Sequence, residues 1–408
     1  MRLSTAGMHR SSIDAILEHQ GKLSKTQNQV ATGKKFQTAS EDPIGAARVS
    51  GLERKLADNA QYGRNSNIIK SRLSNEEQTL ADMTSVLQSA RDSALAGGNA
   101  TLGPAERKMI ANQVRQNLSG LVEMANRQDA NGEYLFAGTS TATRPFAQGA
   151  TGVNYLGDQT TRQIRISSTQ SLSDVHAGGD AFMGIAERNG VFRTTVSAAN
   201  TGTASIGTGT VTDPSAWIAD NYTLQFTSPT DWQVIDDGTP TPAVIASGSG
   251  FTPGQSISFL GVSVVITGAP AANDSFSISP AQNTDIFAML DELARTLEAD
   301  PAIAGSEAAF QAQIGAALTN LDAGLERVVD LRAEVGTRLQ AIDTAADFRD
   351  SEEVDLQELI SDIRDVDYAS AISQLNQQYT SLQAAQAAYS KISQLSLFDY
   401  LWRTSQRM

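Results

Sequence analysis

Three histidines, His9, His19 and His176, are the chain's whole supply of imidazole. No two of them fall at the spacing that puts paired imidazoles on one helical face, and no HExxH occurs, so metal hydrolysis has no ligand set. Each reads as a surface histidine. Cysteine is absent, which removes disulfides, thiolate metal sites and thiol nucleophiles. Glu352, Glu353, Asp355, Glu358, Asp362, Asp365 and Asp367 crowd one segment. Acid–base work by paired carboxylates needs two environments that separate their pKa values. One acidic helix supplies a single environment, so these read as a solvated face. Trp217 and Trp232 have the chemistry of a sugar-stacking platform, but core packing is the preferred reading. Gly207-Thr-Gly209 and Gly248-Ser-Gly250 lack the third glycine and the strand-to-helix context of a dinucleotide site, and read as turns. No nucleophile elbow and no phosphate-binding loop occurs. No group of nucleophile, base and oxyanion donors is assembled, so neither an enzyme nor a cofactor is expected.

The formal net charge of −14, with a pI near 4.7, argues against nucleic acid as a partner, and Lys34-Lys35 is too short a basic patch to reverse that. No run of eighteen apolar residues appears, so no membrane insertion is expected. The first ten residues alternate polar and apolar, which does not make the apolar core of a cleavable secretory signal. At 408 residues and 40% hydrophobic content, the chain has material for two or three folded domains.

The charge is unevenly placed. Residues 1–137 carry a net +3, residues 138–280 a net −5, and residues 281–408 a net −12. The middle piece also holds 17 of the 32 glycines and 8 of the 11 prolines. Two helical arms of opposite charge therefore flank a β-prone centre, and the charge favours pairing the first arm with the last.

In the first arm, residues 11–31 read as a helix with Ile16, Leu23 and Val30 spaced by seven. Ile13 opens a second seam row that Gln20 and Gln27 continue. Asp42-Pro43 is a cap followed by a first-turn proline, starting a long helix to about Ala96 whose apolar face is Ile69, Leu73, Leu80, Met83, Leu87 and Ala90. Gly103-Pro104 starts another helix, with Asn131-Gly132 as its expected stop.

The centre changes to a period of two, at Ile164–Ile166, Tyr222–Phe226, Ile257–Phe259, Val262–Ile266 and Phe276–Ile278, with a turn at Asp237-Gly238. In the last arm, Leu321, Val328, Val335 and Ile342 form one heptad row. Leu318, Leu325, Leu339 and Ala346 form the other, with Arg332 as its exception. Asp350-Ser-Glu-Glu353 is expected to restart the helix. Ile372, Leu375, Tyr379, Leu382 and Tyr389 extend the stripe, Gln386 interrupts it, and Leu395–Trp402 closes the chain with an apolar cluster. Glutamines in a seam cost roughly 1–3 kcal/mol each when unpartnered. The two ends are thus expected to be completed by other copies. The fold class is α+β, multi-domain and elongated, with long terminal helices paired into a coiled-coil and helical-bundle stem and a β-rich domain inserted between them.

These motifs resemble the flagellin superfamily. The resemblance rests on Met1-Arg-Leu-Ser-Thr, on Gln27–Lys35 with Gly33 and Lys34, and on Ser40-Glu-Asp42-Pro43. It continues in Asn131–Thr139 with Tyr134, Phe136 and Gly138, in Tyr155-Leu-Gly-Asp158, in Asp362–Ala369 with Asp367, and in Leu395–Leu401. Within the superfamily, the Tyr134–Thr139 stretch and the Leu397–Leu401 ending are similar to the hook–filament junction members rather than to the bulk filament subunit. Trp402–Met408 extends beyond the usual ending. The resemblance implies a non-enzymatic adaptor stacked in an axial tube as a homo-oligomer. Its implied partners are the hook-side junction protein, flagellin and an export chaperone. It also implies export without a cleavable signal. It divides the chain into a terminal core (1–40 with 368–408), a helical bundle (41–137 with 281–367) and an outward β-rich domain (138–280) of one or two lobes. Ile16, Leu23, Val30, Ile372, Leu375, Tyr379, Leu382 and Tyr389 are the expected packing residues. The readings kept in reserve are flagellin itself and a stalked, sugar-binding adhesin.

Overall fold

The structure, a computed structural model, describes residues 5–150, 152–187, 189–197, 199–238, 241–299 and 307–405. Six α-helices are described: α1 Thr5–Thr32, α2 Pro43–Gly97, α3 Pro104–Ala125, α4 Ile286–Glu298, α5 Glu307–Arg364 and α6 Tyr368–Ser405. None of them is long and apolar enough to cross a membrane. The chain divides into two compact units, one of residues 1–63 and 346–408, the other of residues 64–345.

The first unit is helical. Helices α1 and α6 pack along each other, and their ends show that they run antiparallel: the His9 ring meets Tyr389 edge-on at 5.8 Å, while Gly33 lies against Tyr368. The first third of α2 and the end of α5 hold a small core of Phe36, Val49 and Ile360. Asn59 ties these helices by donating to the Arg349 carbonyl at 2.8 Å. The expected restart at Asp350–Glu353 does not occur, and α5 runs through it. No helix breaker stands there, and Ser351 uses its hydroxyl to bond back to the Asp347 carbonyl at 3.0 Å instead of capping.

The second unit has two hydrophobic clusters. The helical cluster buries Ile69, Leu73, Leu80, Met83, Leu87 and Ala90 of α2 and Leu321, Val328, Val335 and Ile342 of α5, as their heptad spacing requires. Helix α4 joins them with Phe287 and Leu290. Its N-cap is Asp285, whose Oδ1 accepts from the Ala288 N–H at 2.7 Å. Helix α3 stops at Ala125, six residues before Asn131. Asn126 ends it by donating to the carbonyls of Val122 and Phe146, and its Oδ1 accepts from the Phe146 N–H. Asn131-Gly132 makes a separate turn, with Gly132 at φ +80°. The hairpins of residues 146–173 feed Phe146 and Ile166 into this helical core, the turn Gly179–Met183 adds Phe182, and Phe146, Phe182 and Phe287 stack at 5.3–6.4 Å.

The other cluster belongs to residues 191–280. A five-stranded antiparallel sheet runs in the order Ala243–Gly248, Trp232–Asp236, Tyr222–Phe226, Ser275–Pro280, Phe192–Val196. It faces strands Ser256–Phe259, Val262–Thr267, Ser205–Ile206 and Thr210–Val211 across a core of alternating residues such as Leu224, Phe226, Val264 and Ile278. Trp217 stacks on Phe192 and Tyr222 at 5.6 and 5.5 Å, and Trp232 packs against the same core, so both tryptophans serve packing.

Candidate functional site

The α1–α6 seam is a heptad seam on rows different from those expected. Along α1 the seam follows His9, Ser12, Ile16, His19, Leu23, Thr26 and Val30 in steps of three and four and ends on Gly33, with Ala15 and Gln29 half-covered at its side. Ile16, Leu23 and Val30 are half-buried in the seam. Their companion row is Ser12, His19, Thr26 and Gly33. Ile13, Gln20 and Gln27 point to solvent. On α6 the covered positions are Ala371, Leu375, Gln378, Ser381, Leu382, Ala385 and Tyr389, while Ile372, Tyr379 and Gln386 are exposed. The reason is geometric. A row of small and polar residues lets two helices approach closely, and hydropathy alone ranks such a row below the neighbouring one that starts at Ile13. Strict spacing by seven from Ser12 was the available signal. The glutamine most nearly inside the seam is Gln378, whose Oε1 is buried without a hydrogen-bond partner.

One apolar row on each helix is left open to solvent: Ile13 and Leu17 on α1, with Leu17 59% exposed, and Tyr368, Ile372 and Tyr379 on α6. The closing cluster Leu395–Trp402 lies on α6, with its side chains outside the described residues. Residues 1–4 and 406–408 also lie outside them.

The base of the pair is built from the motif residues. Gly33, at φ +73°, ends α1 in the left-handed conformation, and a side chain there would meet the Tyr368 hydroxyl. Its carbonyl accepts from the Val366 N–H at 2.8 Å, Lys34 bridges to Asp365, and the Lys35 N–H donates to the Arg364 carbonyl at 2.6 Å. Asp367 caps α6 by accepting from the Ala369 N–H at 3.0 Å. Asp42 caps α2 by accepting from the Gly45 N–H at 2.9 Å, with Pro43 in the first turn. The two chain crossings beside the pair are therefore knitted into one short ladder.

The Asn131–Thr139 and Tyr155–Asp158 motifs meet each other. Phe136 is fully buried on Phe182 at 4.9 Å. Gly138, at φ +67°, lies against the Asp158 backbone, where a Cβ would collide. Asp158 accepts from the hydroxyls of Thr139 and Ser140 and from the Thr139 and Thr160 N–H groups, and the Thr139 bonds in particular hold its carboxyl well below the usual range. The Tyr155 hydroxyl donates to the carbonyls of Phe136 and Asp158 at 3.0 and 2.7 Å. Tyr134 is half-buried, and its N–H donates to the Thr141 carbonyl at 2.9 Å.

His176, expected at the surface, is buried. Its Nδ1 lies 2.7 Å from Glu76 Oε1 on α2 and its Nε2 lies 3.0 Å from Glu334 Oε2 on α5. Its backbone N–H also donates to Glu76 at 3.2 Å. Burial works against the imidazolium, and Arg338 adds to that. The hydrogen bonds to the two carboxylates outweigh both and raise the pKa above the ordinary 6.5. A raised folded-state pKa gives stability that is complete below about pH 6.5 and is lost as pH climbs through the folded value. Thermal melts taken from about pH 5.5 to about pH 9 should show the wild type losing stability above neutrality, and His176→Gln should flatten that slope.

The comparisons agree with this architecture. Residues 3–141 match the model of the bacterial flagellin N-terminal helical region, and residues 312–401 match that of the C-terminal helical region. Residues 195–280 match the D2-like domain of flagellar hook-associated protein 1. Flagellar hook-associated protein 3 of Escherichia coli strain K12 is 25% identical over 403 residues, which is 98% of this chain and 99% of that protein. The crystal structure of FlgL from Xanthomonas campestris is 31% identical with a TM-score of 0.69, covering 76% of this chain and 99% of that one. The flagellar junction protein FlgL from Legionella pneumophila is 27% identical with a TM-score of 0.68, covering 79% and 100%. Paired terminal helices of flagellin type, with a hook-associated β lobe between them, place this chain in the family of flagellar hook-associated protein 3, within the flagellin superfamily.

Proposed function

We propose that the chain is a structural adaptor of the bacterial flagellum, joining the hook to the filament through axial packing of its helices. The observation that carries this reading is the paired terminal helices, which satisfy one seam internally and leave a second apolar row on each helix open. Large apolar side chains repeated along one exposed face mark a protein-binding surface. Ile16, Leu23, Val30, Leu375, Leu382 and Tyr389 pair the helices within the chain, and Ile372 and Tyr379 pack against neighbouring copies. The chain works as a homo-oligomeric ring between the hook-side junction protein and flagellin. An export chaperone shields its terminal helices before assembly. Residues 1–40 with 368–408 line the tube, 41–137 with 281–367 form the next layer, and 138–280 face outward.

Antibody against residues 138–280, viewed by electron microscopy on intact flagella, should mark a single band at the base of the filament. Label along the whole filament would make the chain a bulk subunit and overturn the adaptor reading.

A further inference from the structure

Two exposed helical stripes in the first unit have complementary chemistry. On α5, Phe348, Glu352, Asp355, Leu359 and Asp362 fall at steps of four, three, four and three, so they form one continuous stripe. All five are exposed. Phe348 is 72% exposed and Leu359 49%. On α2, Ile44, Arg48, Gly51 and Lys55 repeat at steps of four, three and four, with Ile44 69% exposed and both cations in solvent. The first stripe carries three carboxylates and two large apolar groups. The second carries two cations, one large apolar group and a glycine that leaves a notch.

Neither stripe packs into the core of its unit, and among the described residues the side-chain bond that reaches them runs from Lys35 Nζ to the Asp362 backbone carbonyl at 2.5 Å, which leaves the carboxylate open. The small core of this unit is made by other faces of the same helices, through Val49, Ala46, Leu52, Leu56, Ile360 and Ile363. Arg48 and Lys55 have no carboxylate within ion-pair distance among the described residues, and neither do Glu352, Asp355 and Asp362 have a cation. The ion pair that does join these helices, Arg364 to Glu53 at 3.2 Å, involves neither stripe. Phe348, 72% exposed, has Glu352 four residues on, and Ile44, 69% exposed, has Arg48 four residues on, so each stripe sets a large apolar group next to a charge of opposite sign to the other's.

We infer that the Phe348–Asp362 stripe of one copy docks on the Ile44–Lys55 stripe of the next copy. The charge match names the occupant, because each stripe is the complement of the other and both are carried by the same chain. Two different surfaces in contact make a heterologous interface, which repeats from copy to copy and closes a ring or continues a helix according to its rotation. The carboxylates and cations set partner and register, and the apolar groups alongside them supply the burial. The inference rests on the adaptor reading and adds the surface through which copies meet.

The test uses the full-length chain in a strain lacking its own copy, where the wild-type chain must restore swarming. Arg48→Glu with Lys55→Glu should abolish swarming, and so should Glu352→Lys with Asp355→Lys. The chain carrying all four changes presents the same match with signs exchanged and should restore it. These side chains are exposed, so unchanged thermal melts of the purified variants exclude misfolding as the cause. Swarming undiminished in either two-residue variant overturns the docking contact and leaves the adaptor reading intact. Loss in both, without recovery in the four-residue variant, also overturns it and assigns the stripes to a different protein. Failure of the wild-type chain to restore swarming counts against the adaptor reading itself, and so against the inference that rests on it.

Discussion

Replacing Arg72 with methionine should lower the main melting transition by roughly 6–10 °C, the equivalent of about 3–5 kcal/mol for a unit of this size. Arg72 is 4% exposed at the side chain and lies inside α2. Its guanidinium meets Asp129 at 2.5 Å, Glu133 at 2.9 Å and Asp174 at 3.0 Å. Asp129 and Asp174 are themselves buried, at 5% and 2%. Removing the cation leaves two buried carboxylates facing each other across the space it filled. Asp174 keeps Arg162 at 2.8 Å, and Asp129 keeps the Asn131 and Glu133 N–H groups, which is why the cost sits within that range rather than above it. Neutralising the carboxylates along with the cation, as Arg72→Met with Asp129→Asn and Asp174→Asn, should recover a good part of the loss, because the penalty comes from stranded charge. Calorimetry of the three proteins measures both effects. A shift below about 2 °C in the single variant would show that water or local rearrangement compensates the carboxylates.

The Arg72 cluster was invisible in the sequence for the same reason that His176 was. Local spacing reports which face of a helix is buried, and it placed Ile69, Leu73 and Leu80 correctly. It says nothing about a polar residue on that face whose partners stand 57 and 102 positions away. A buried Arg or Glu becomes legible only when its counter-charge is known. The helices themselves were largely legible: α2, the start of α3 and the long α5 follow from a cap, a proline and a heptad. The end of α3 was not, because Asn126 stops it through a bond to Phe146, a contact fixed by the fold rather than by a turn motif. Helix α4 was legible as well and went unread: Ile286, Phe287, Met289, Leu290, Leu293 and Leu297 fall on one apolar stripe behind the Asp285 cap. The strands were read from alternation. Which core they would join was not, since Phe146 and Phe182 reach the helices by packing that no local period encodes. At the terminal helices the helix and one seam row were legible, and the second row was misread because its members are serine, histidine, threonine and glycine.

Deleting residues 1–30 should abolish swarming in a strain lacking its own copy and leave the melting of residues 64–345 unchanged. Helix α6 covers Ala371, Leu375, Gln378, Leu382, Ala385 and Tyr389 against α1, and most of these remain only half-buried in the pair. Half-burial returns part of the roughly 1.5–3 kcal/mol that a fully buried large apolar side chain contributes. Ordering each residue's backbone costs about 1–2 kcal/mol. A two-helix pair balanced so closely needs a further layer of contacts, and on the proposed adaptor reading the exposed rows at Ile13, Leu17, Ile372 and Tyr379 are where neighbouring copies would supply it. Without α1, α6 loses its internal partner as well, and both layers fail together. The second unit loses nothing, because its cores contain no residue of α1 or α6. Leu382→Asp should reproduce the assembly defect without any deletion, since it places one charge at the most deeply covered large apolar position of the seam. Swarming restored by the deleted chain would show that the terminal pair is dispensable, and the packing role assigned to Ile16, Leu23 and Val30 would fall with it.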